Sequence, residues 1–125
     1  MLPRILFKPP EEVARQTLAS LSPPDLPLDP DLLALFELIV RHYRGEPVPT
    51  VLPDAEIRQL AAPVYLLAGQ YETLVNPYQT IERALALLPN AVAAEVVPGV
   101  GHAMEHQQAD WVIGRVLRFL EQYAA

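Results

Sequence analysis

The sequence predicts an α/β fold in which two parallel strands are flanked by helices. Two short apolar runs have the length of buried strands: PVYLLAG, residues 63–69, and VAAEVV, residues 92–97. An amphipathic stretch of helical period follows each of them, so the order is strand, helix, strand, helix. Because a crossover of that length joins parallel strands, we expect a right-handed parallel unit.

Composition narrows the classes of protein that the chain can represent. The chain has 125 residues, a net charge of -6 and no cysteine, and its nine basic residues are scattered. A nucleic-acid partner is therefore not expected, because a phosphate backbone would be repelled. No apolar run reaches the ~18 residues of a membrane span, and MLPRILFKPPEE lacks the features of a secretory signal. We expect a cytoplasmic protein that binds no membrane.

The first half of the chain is predicted to form helices separated by prolines. The candidates are PPEEVARQTLASL, DPDLLALFELIVRHYRG and DAEIRQLAA. Asp29 is expected to cap the second helix, Gly45 to end it, and Asp54 to cap the third. The residues expected on the buried sides are Val13, Thr17 and Leu21 in the first helix and Leu32, Phe36, Ile39, Val40 and Tyr43 in the second.

The second half contains two longer helices. Asn76 is expected to cap NPYQTIERALALLPN, with Gln79 completing a capping box, and a last helix is expected from about Gln108 to Tyr123. The residues expected on their buried sides are Ile81, Ala84, Leu85 and Leu88, then Val112, Val116, Phe119 and Leu120. Two strands buried on both faces would leave open edges, so further strands are expected from another chain or from a larger fold.

Two residues with catalytic chemistry follow the strands. Glu72 lies three residues after the first strand, and His102 lies just after the second. The carboxyl ends of parallel strands share one edge of a sheet, so both residues are expected at that edge. A carboxylate beside a histidine is the orienting half of a nucleophilic catalytic set. Gly99 and Gly101 are expected to let the histidine loop turn sharply.

The stretch from about residue 57 to 120 resembles the C-terminal part of an α/β-hydrolase. PVYLLAG is similar to the penultimate strand of that family, Glu72 matches the position of the triad acid, and VPGVGH matches the last strand and the histidine loop. The resemblance implies that Glu72 is the acid and His102 the general base of an ester or amide hydrolase, with no cofactor and no metal. Residues 1–53 resemble a helical cap, which leaves residues 54–125 as the C-terminal part of the core.

The sequence departs from that family at the nucleophile. It contains no G-x-S-x-G motif and no cysteine, and its two serines, Ser20 and Ser22, have no flanking glycines. We therefore expect a truncated or split hydrolase that is inactive as an isolated chain. It would act on a small-molecule ester or amide once a complementing N-terminal half is present. The alternative is a non-catalytic module that self-associates into a homo-oligomer through its open sheet edge.

Two other interpretations of His102 remain open. It can be a loop histidine at the end of a strand, without catalytic function. HAMEH, residues 102–106, also has the form H-x-x-E-H, in which two histidines on one helix bind zinc. The zinc interpretation requires His102 to begin a helix directly after Gly101 and needs a third ligand from elsewhere.

Overall fold

The computed structural model describes residues 8–123 and has the predicted order of elements, with one additional short helix after the second strand. Residues 1–7, at the start of the predicted cap-like segment 1–53, and residues 124–125, at the end of the predicted core segment 54–125, lie outside the described residues. The first seven residues of MLPRILFKPPEE are therefore not described. The elements are α1 (Pro10–Ser20), α2 (Pro30–His42), α3 (Asp54–Ile57), β1 (Val64–Gly69), α4 (Pro77–Leu87), β2 (Ala91–Val97), α5 (Met104–Gln107) and α6 (Ala109–Tyr123).

The sheet has the predicted parallel pairing. Within residues 8–123, β1 and β2 pair only with each other, from Val64 opposite Ala91 to Gly69 opposite Val97. Burial on both faces was expected along β1, but only Ala68 and Gly69 are buried. The expectation fails for the rest of β1 because the described elements leave one edge of each strand uncovered.

Side-chain caps begin two of the helices, as predicted. The Asp29 carboxylate accepts hydrogen bonds from the amides of Asp31 and Leu32, at 2.8 and 3.1 Å. The Asn76 side chain accepts one from the amide of Gln79, at 3.1 Å. Each cap is followed by a proline in the first helical turn, where the missing amide hydrogen costs nothing.

Two of the predicted helix boundaries are wrong. Helix α2 ends at His42 because Tyr43 is already extended, so Gly45, at φ +79°, lies in the following loop. Helix α3 begins at Asp54, so this residue is part of the helix rather than its cap. The Asp54 carboxylate instead pairs with Arg83 of α4 at 2.9 Å, which is a contact between separate elements that local pattern does not reveal.

The buried face of α1 is displaced from the predicted one. Ala14 and Leu18 are the buried residues of the helix, and Leu21 follows them, whereas Thr17 is exposed. The mixed sequence of α1 allowed either stripe, and packing against other elements, α2 among them, selects the one that contains Leu18. Leu18 and Val100, in the loop after β2, are the largest completely buried side chains.

Several apolar residues predicted to be buried are exposed instead. Helix α6 begins at Ala109, within one residue of the predicted start, and contains no buried residue, and α2 contains none either. These helices are covered on one side only by the described residues. Besides Thr17, the exposed residues among those predicted to be buried are Ile39, Tyr43, Leu85, Val116 and Leu120. Within residues 8–123, no helix is long and apolar enough to cross a membrane.

Candidate active site

The loops that follow the two strands are joined to each other at the carboxyl edge of the sheet. The amide of Gln70 donates to the carbonyl of Val97 at 2.9 Å, and the amide of Tyr71 donates to the carbonyl of Val100 at 2.9 Å. The Gln70 side chain accepts from the amide of Gly99 at 3.0 Å. These three bonds fix the position of one loop relative to the other, and each loop carries one of the two candidate residues.

Glu72 and His102 are in direct contact. The Nδ1 atom of His102 lies 2.6 Å from Oε2 of Glu72. The other carboxylate oxygen of Glu72 accepts from the amide of Leu74 at 2.7 Å. The side chain of Glu72 is 9% exposed and that of His102 is 47% exposed. The acid is therefore held inside the loop, while the imidazole faces the surface.

The environment of Glu72 favours its ionised form. Burial raises the pKa of this carboxyl, but the hydrogen bonds from the Leu74 amide and the His102 ring, with the charge of His102, outweigh it. The pKa of Glu72 is consequently lower than its usual value of 4.5. A carboxylate can only accept, so the proton of a neutral His102 lies on Nδ1. The Nε2 lone pair is then free to accept a proton from another group.

Close backbone approaches explain two of the glycines around the pair. A Cβ atom at Gly69 would collide with the carbonyl oxygens of Val100 and Gly101, and a Cβ at Gly101 would collide with the carbonyl oxygen of Leu21. Gly99 adopts φ +75°, as the predicted sharp turn requires. Gly101 does not have a left-handed φ, so steric room rather than turn geometry explains its presence.

The carboxyl end of α1 is part of the site, which the sequence did not predict. The carbonyl of Leu21 accepts from the amide of His102 at 2.9 Å, and the carbonyl of Ser20 accepts from the Thr73 hydroxyl at 2.9 Å. Gln107 also bonds to Leu21. No sequence signal could have identified the two carbonyls, since every residue has one.

Both serines lie at this end of α1, and neither is paired with His102. The hydroxyl of Ser20 donates to the carbonyl of Thr17 at 2.7 Å, and that of Ser22 donates to the carbonyl of Leu18 at 2.8 Å. Such bonds to the preceding helical turn are the usual state of serine at a helix end. Neither hydroxyl is arranged as an activated nucleophile.

An open groove of about 450 Å³ leads to the pair along β1. Four consecutive residues of the strand, 66–69, line it, so the groove follows the edge of the strand rather than one face. Val75 and Val112 make its walls apolar, and Glu72 and His102 lie among its lining residues.

The arrangement does not provide the helix that the zinc interpretation needs. Helix α5 begins at Met104, so it contains His106 but not His102. The ring of His102 faces Glu72, whereas that of His106 lies 3.9 Å from Glu105. Among residues 8–123, no three His, Asp or Glu side chains are grouped to hold a metal ion.

Comparison with known proteins identifies the fold. Two proteins of Bacillus subtilis (strain 168) are similar in sequence. The uncharacterized carboxylesterase nap is 35% identical over 71 residues, which are 57% of this chain and 23% of nap. Carboxylesterase YbfK is 36% identical over 72 residues, which are 58% of this chain and 24% of YbfK. No family model matches the chain.

Crystal structures agree with the sequence comparison. Naproxen esterase (carboxylesterase NP) of Bacillus subtilis superposes with a TM-score of 0.74 at 28% identity and covers 86% of this chain. Carboxylesterase CesB (YbfK) superposes with a TM-score of 0.74 at 27% identity and covers 88%. The chain has part of an α/β-hydrolase fold. It spans 40% and 41% of the length of those two esterases, so this partial α/β-hydrolase fold is less than half of theirs.

Proposed function

We propose that this chain contributes the acid and the general base of a serine-type carboxylic ester hydrolase. Glu72 is the acid and His102 the base, and the nucleophile comes from a segment outside these 125 residues. The observation that carries the proposal is the 2.6 Å contact between Nδ1 of His102 and the ionised carboxylate of Glu72, at the carboxyl edge of the sheet.

The chemistry of the pair follows from its geometry. The carboxylate holds the proton on Nδ1, so Nε2 can take the proton of a serine hydroxyl as that oxygen attacks the ester carbonyl. The imidazolium that forms is stabilised by the negative charge of Glu72. It then returns the proton to the leaving alcohol, and a water molecule repeats the sequence to release the acid. Because the side chain of His102 is 47% exposed, its ring is open to such a partner.

The proposed substrate is a small-molecule ester. The similar proteins are named as carboxylesterases, and the groove beside the pair has apolar walls suited to an acyl or alkyl group. We assign α1 and α2 to a cap-like segment, residues 1–53, whose described part reaches the site at the end of α1. The contacts of Leu21 and Thr73 support this assignment because they link that segment to both loops.

The groove along β1 also suggests how the nucleophile reaches His102. Since residues 66–69 line it consecutively, the unpaired edge of the strand is accessible along its length. A parallel strand that paired with this edge would end beside the carboxyl end of β1. A serine in the turn after such a strand, or after a strand beyond it, would then come close to His102.

A chimaera tests the proposal. The chain replaces the structurally matching part of Bacillus subtilis YbfK, and the rest of YbfK supplies the remaining strands. Hydrolysis of a short activated ester is measured for this protein and for His102→Ala, Glu72→Gln and His106→Ala. Loss of a catalytic histidine costs roughly 10⁶ in kcat in a serine hydrolase, so His102→Ala should abolish turnover.

His106→Ala is the matched control because this histidine is exposed on α5 and only 4 residues from His102 in sequence. It should hydrolyse the ester as fast as the unmodified chimaera. If His102→Ala were as active as His106→Ala in a chimaera that turns over, the proposed role of the pair would be wrong.

Self-association is the second candidate function, and the exposed apolar residues favour it. Ile113 and Leu117 of α6 are 55% and 53% exposed, and β1 and β2 pair on one side only in the described residues. Sedimentation of the chain at micromolar concentration tests this candidate. A dimer that Leu117→Glu dissociates would support it, whereas a monomer at every concentration would exclude it.

A further inference from the structure

Gln107, the last residue of α5, bonds to both sides of the junction between α1 and the histidine loop. Its Oε1 accepts from the amide of Gly101 at 2.7 Å, and its Nε2 donates to the carbonyl of Leu21 at 3.3 Å. The side chain is partly buried there. Gln107 is thus not an exposed residue of a short helix but a bridge between three segments.

The hydrogen bonds of Gln107 adjoin the main chain of His102. The carbonyl of Leu21 accepts from the His102 amide at 2.9 Å as well as from Gln107. The amides of Gly101 and His102 are consecutive, so both are held, one by the side chain of Gln107 and the other by the end of α1. A primary amide can donate and accept at once, which methionine of similar length cannot do.

We propose that Gln107 is a positioning residue that, together with the Leu21 carbonyl, holds the backbone of His102 where its ring meets Glu72. The catalytic meaning of this position rests on the proposed function, but the contact itself does not. The absence of a side chain at Gly101 supports the proposal, since it lets the Leu21 carbonyl approach closely enough to accept the hydrogen bond from the His102 amide. The segment that contains α1 would then set the geometry of the acid–base pair as well as cover it.

The experiment measures the pKa of the Glu72 carboxyl directly in the 125-residue chain. Side-chain carboxyl carbons are followed by ¹³C NMR over a pH titration in the wild type, Gln107→Met and Gln107→Asn. Gln107→Met keeps the volume without the hydrogen bonds, and Gln107→Asn keeps the amide on a side chain too short to reach both partners. Gln108→Met is the matched control, because Gln108 is exposed and its side chain makes no hydrogen bond within residues 8–123.

We expect the pKa of the Glu72 carboxyl to rise in Gln107→Met and Gln107→Asn and to stay at the wild-type value in Gln108→Met. The reason is that the hydrogen bond from His102 is one of the contacts that lower this pKa. A role limited to stability would lower the melting temperature and leave the Glu72 titration unchanged. An unchanged Glu72 titration in a folded Gln107 variant would therefore overturn the proposal, and Gln107→Asn decides the matter if Gln107→Met does not fold.

The chimaera provides the second readout. Displacing a catalytic group by about 1 Å costs roughly 10²-fold in rate, so Gln107→Met should lower kcat by about 10- to 100-fold with KM unchanged. A chimaera that is inactive with Gln107 in place would count against the proposed function alone, because the Glu72 titration does not depend on hydrolysis. An active chimaera whose kcat is unaffected by Gln107→Met would overturn the positioning role.

Discussion

Substitution by alanine should change the stability of the protein differently at three of its glycines. At Gly101, a Cβ would collide with the carbonyl of Leu21 and lie 3.2 Å from the Cα of Ser22. Both neighbours are backbone, so neither can rotate away as a flexible side chain would. At Gly114, in the interior of α6, a Cβ would meet nothing within 4 Å. Gly99 also has free space but adopts φ +75°.

The structure gives each substitution a different energy. Gly101→Ala forces backbone apart, which costs about 1–3 kcal/mol, and loses the bond from His102 to Leu21, worth about 1 kcal/mol, for a total of about 2–4 kcal/mol. Gly99→Ala places a side chain in the left-handed region at a cost of about 1–2 kcal/mol. Gly114→Ala should stabilise the protein by about 0.5–1 kcal/mol, since alanine favours a helix interior.

Urea unfolding followed by circular dichroism measures the series, with the slope of the transition checked for constancy. From the most to the least stable protein, we expect the order Gly114→Ala, wild type, Gly99→Ala, Gly101→Ala. A Gly101→Ala protein within about 0.5 kcal/mol of the wild type, the usual range for surface substitutions, would refute the tight packing of α1 against the histidine loop. A destabilising Gly114→Ala would show that α6 is covered in a way that these contacts do not describe.

Two further predictions concern pH and a helix cap. The pKa of Glu72 is lower in the folded protein than its usual 4.5, so its stabilising contribution is complete above that value and is lost as pH falls through the lower, folded-state pKa. The difference in unfolding free energy between wild type and Glu72→Gln should therefore shrink below pH 4.5. A difference that stays constant as the pH is lowered further would contradict this. Glu105→Gln, at an exposed carboxylate, is the control. Asn76→Ala should cost about 1 kcal/mol of stability because the Gln79 amide loses its acceptor, while Asn76→Asp should keep it; equal urea midpoints for wild type and Asn76→Ala would show that the cap contributes nothing.

The short-range features of the chain could be predicted from sequence. Strand segments, the caps at Asp29 and Asn76, and the order of elements depend on residues a few positions apart, and the structure has them. The meeting of Glu72 and His102 was also predictable, because parallel strands deliver the residues that follow them to one edge. The family resemblance added the expected roles of the two residues, which remain proposals.

Which face of each helix is buried was decided only in three dimensions. Leu18 rather than Thr17 faces inward, because packing partners distant in sequence choose among stripes of similar apolar content. Asp54 pairs with Arg83, which is 29 positions away, instead of capping α3. The same holds for the carbonyl of Leu21 and for Gln107, whose bonds join residues up to 86 positions apart. Periodicity and motifs record local geometry, whereas a hydrogen bond to a main-chain carbonyl does not depend on which residue supplies that carbonyl. The sequence by itself therefore determined most of the elements and the meeting of Glu72 with His102, and only the tertiary structure decided what holds these two residues in place.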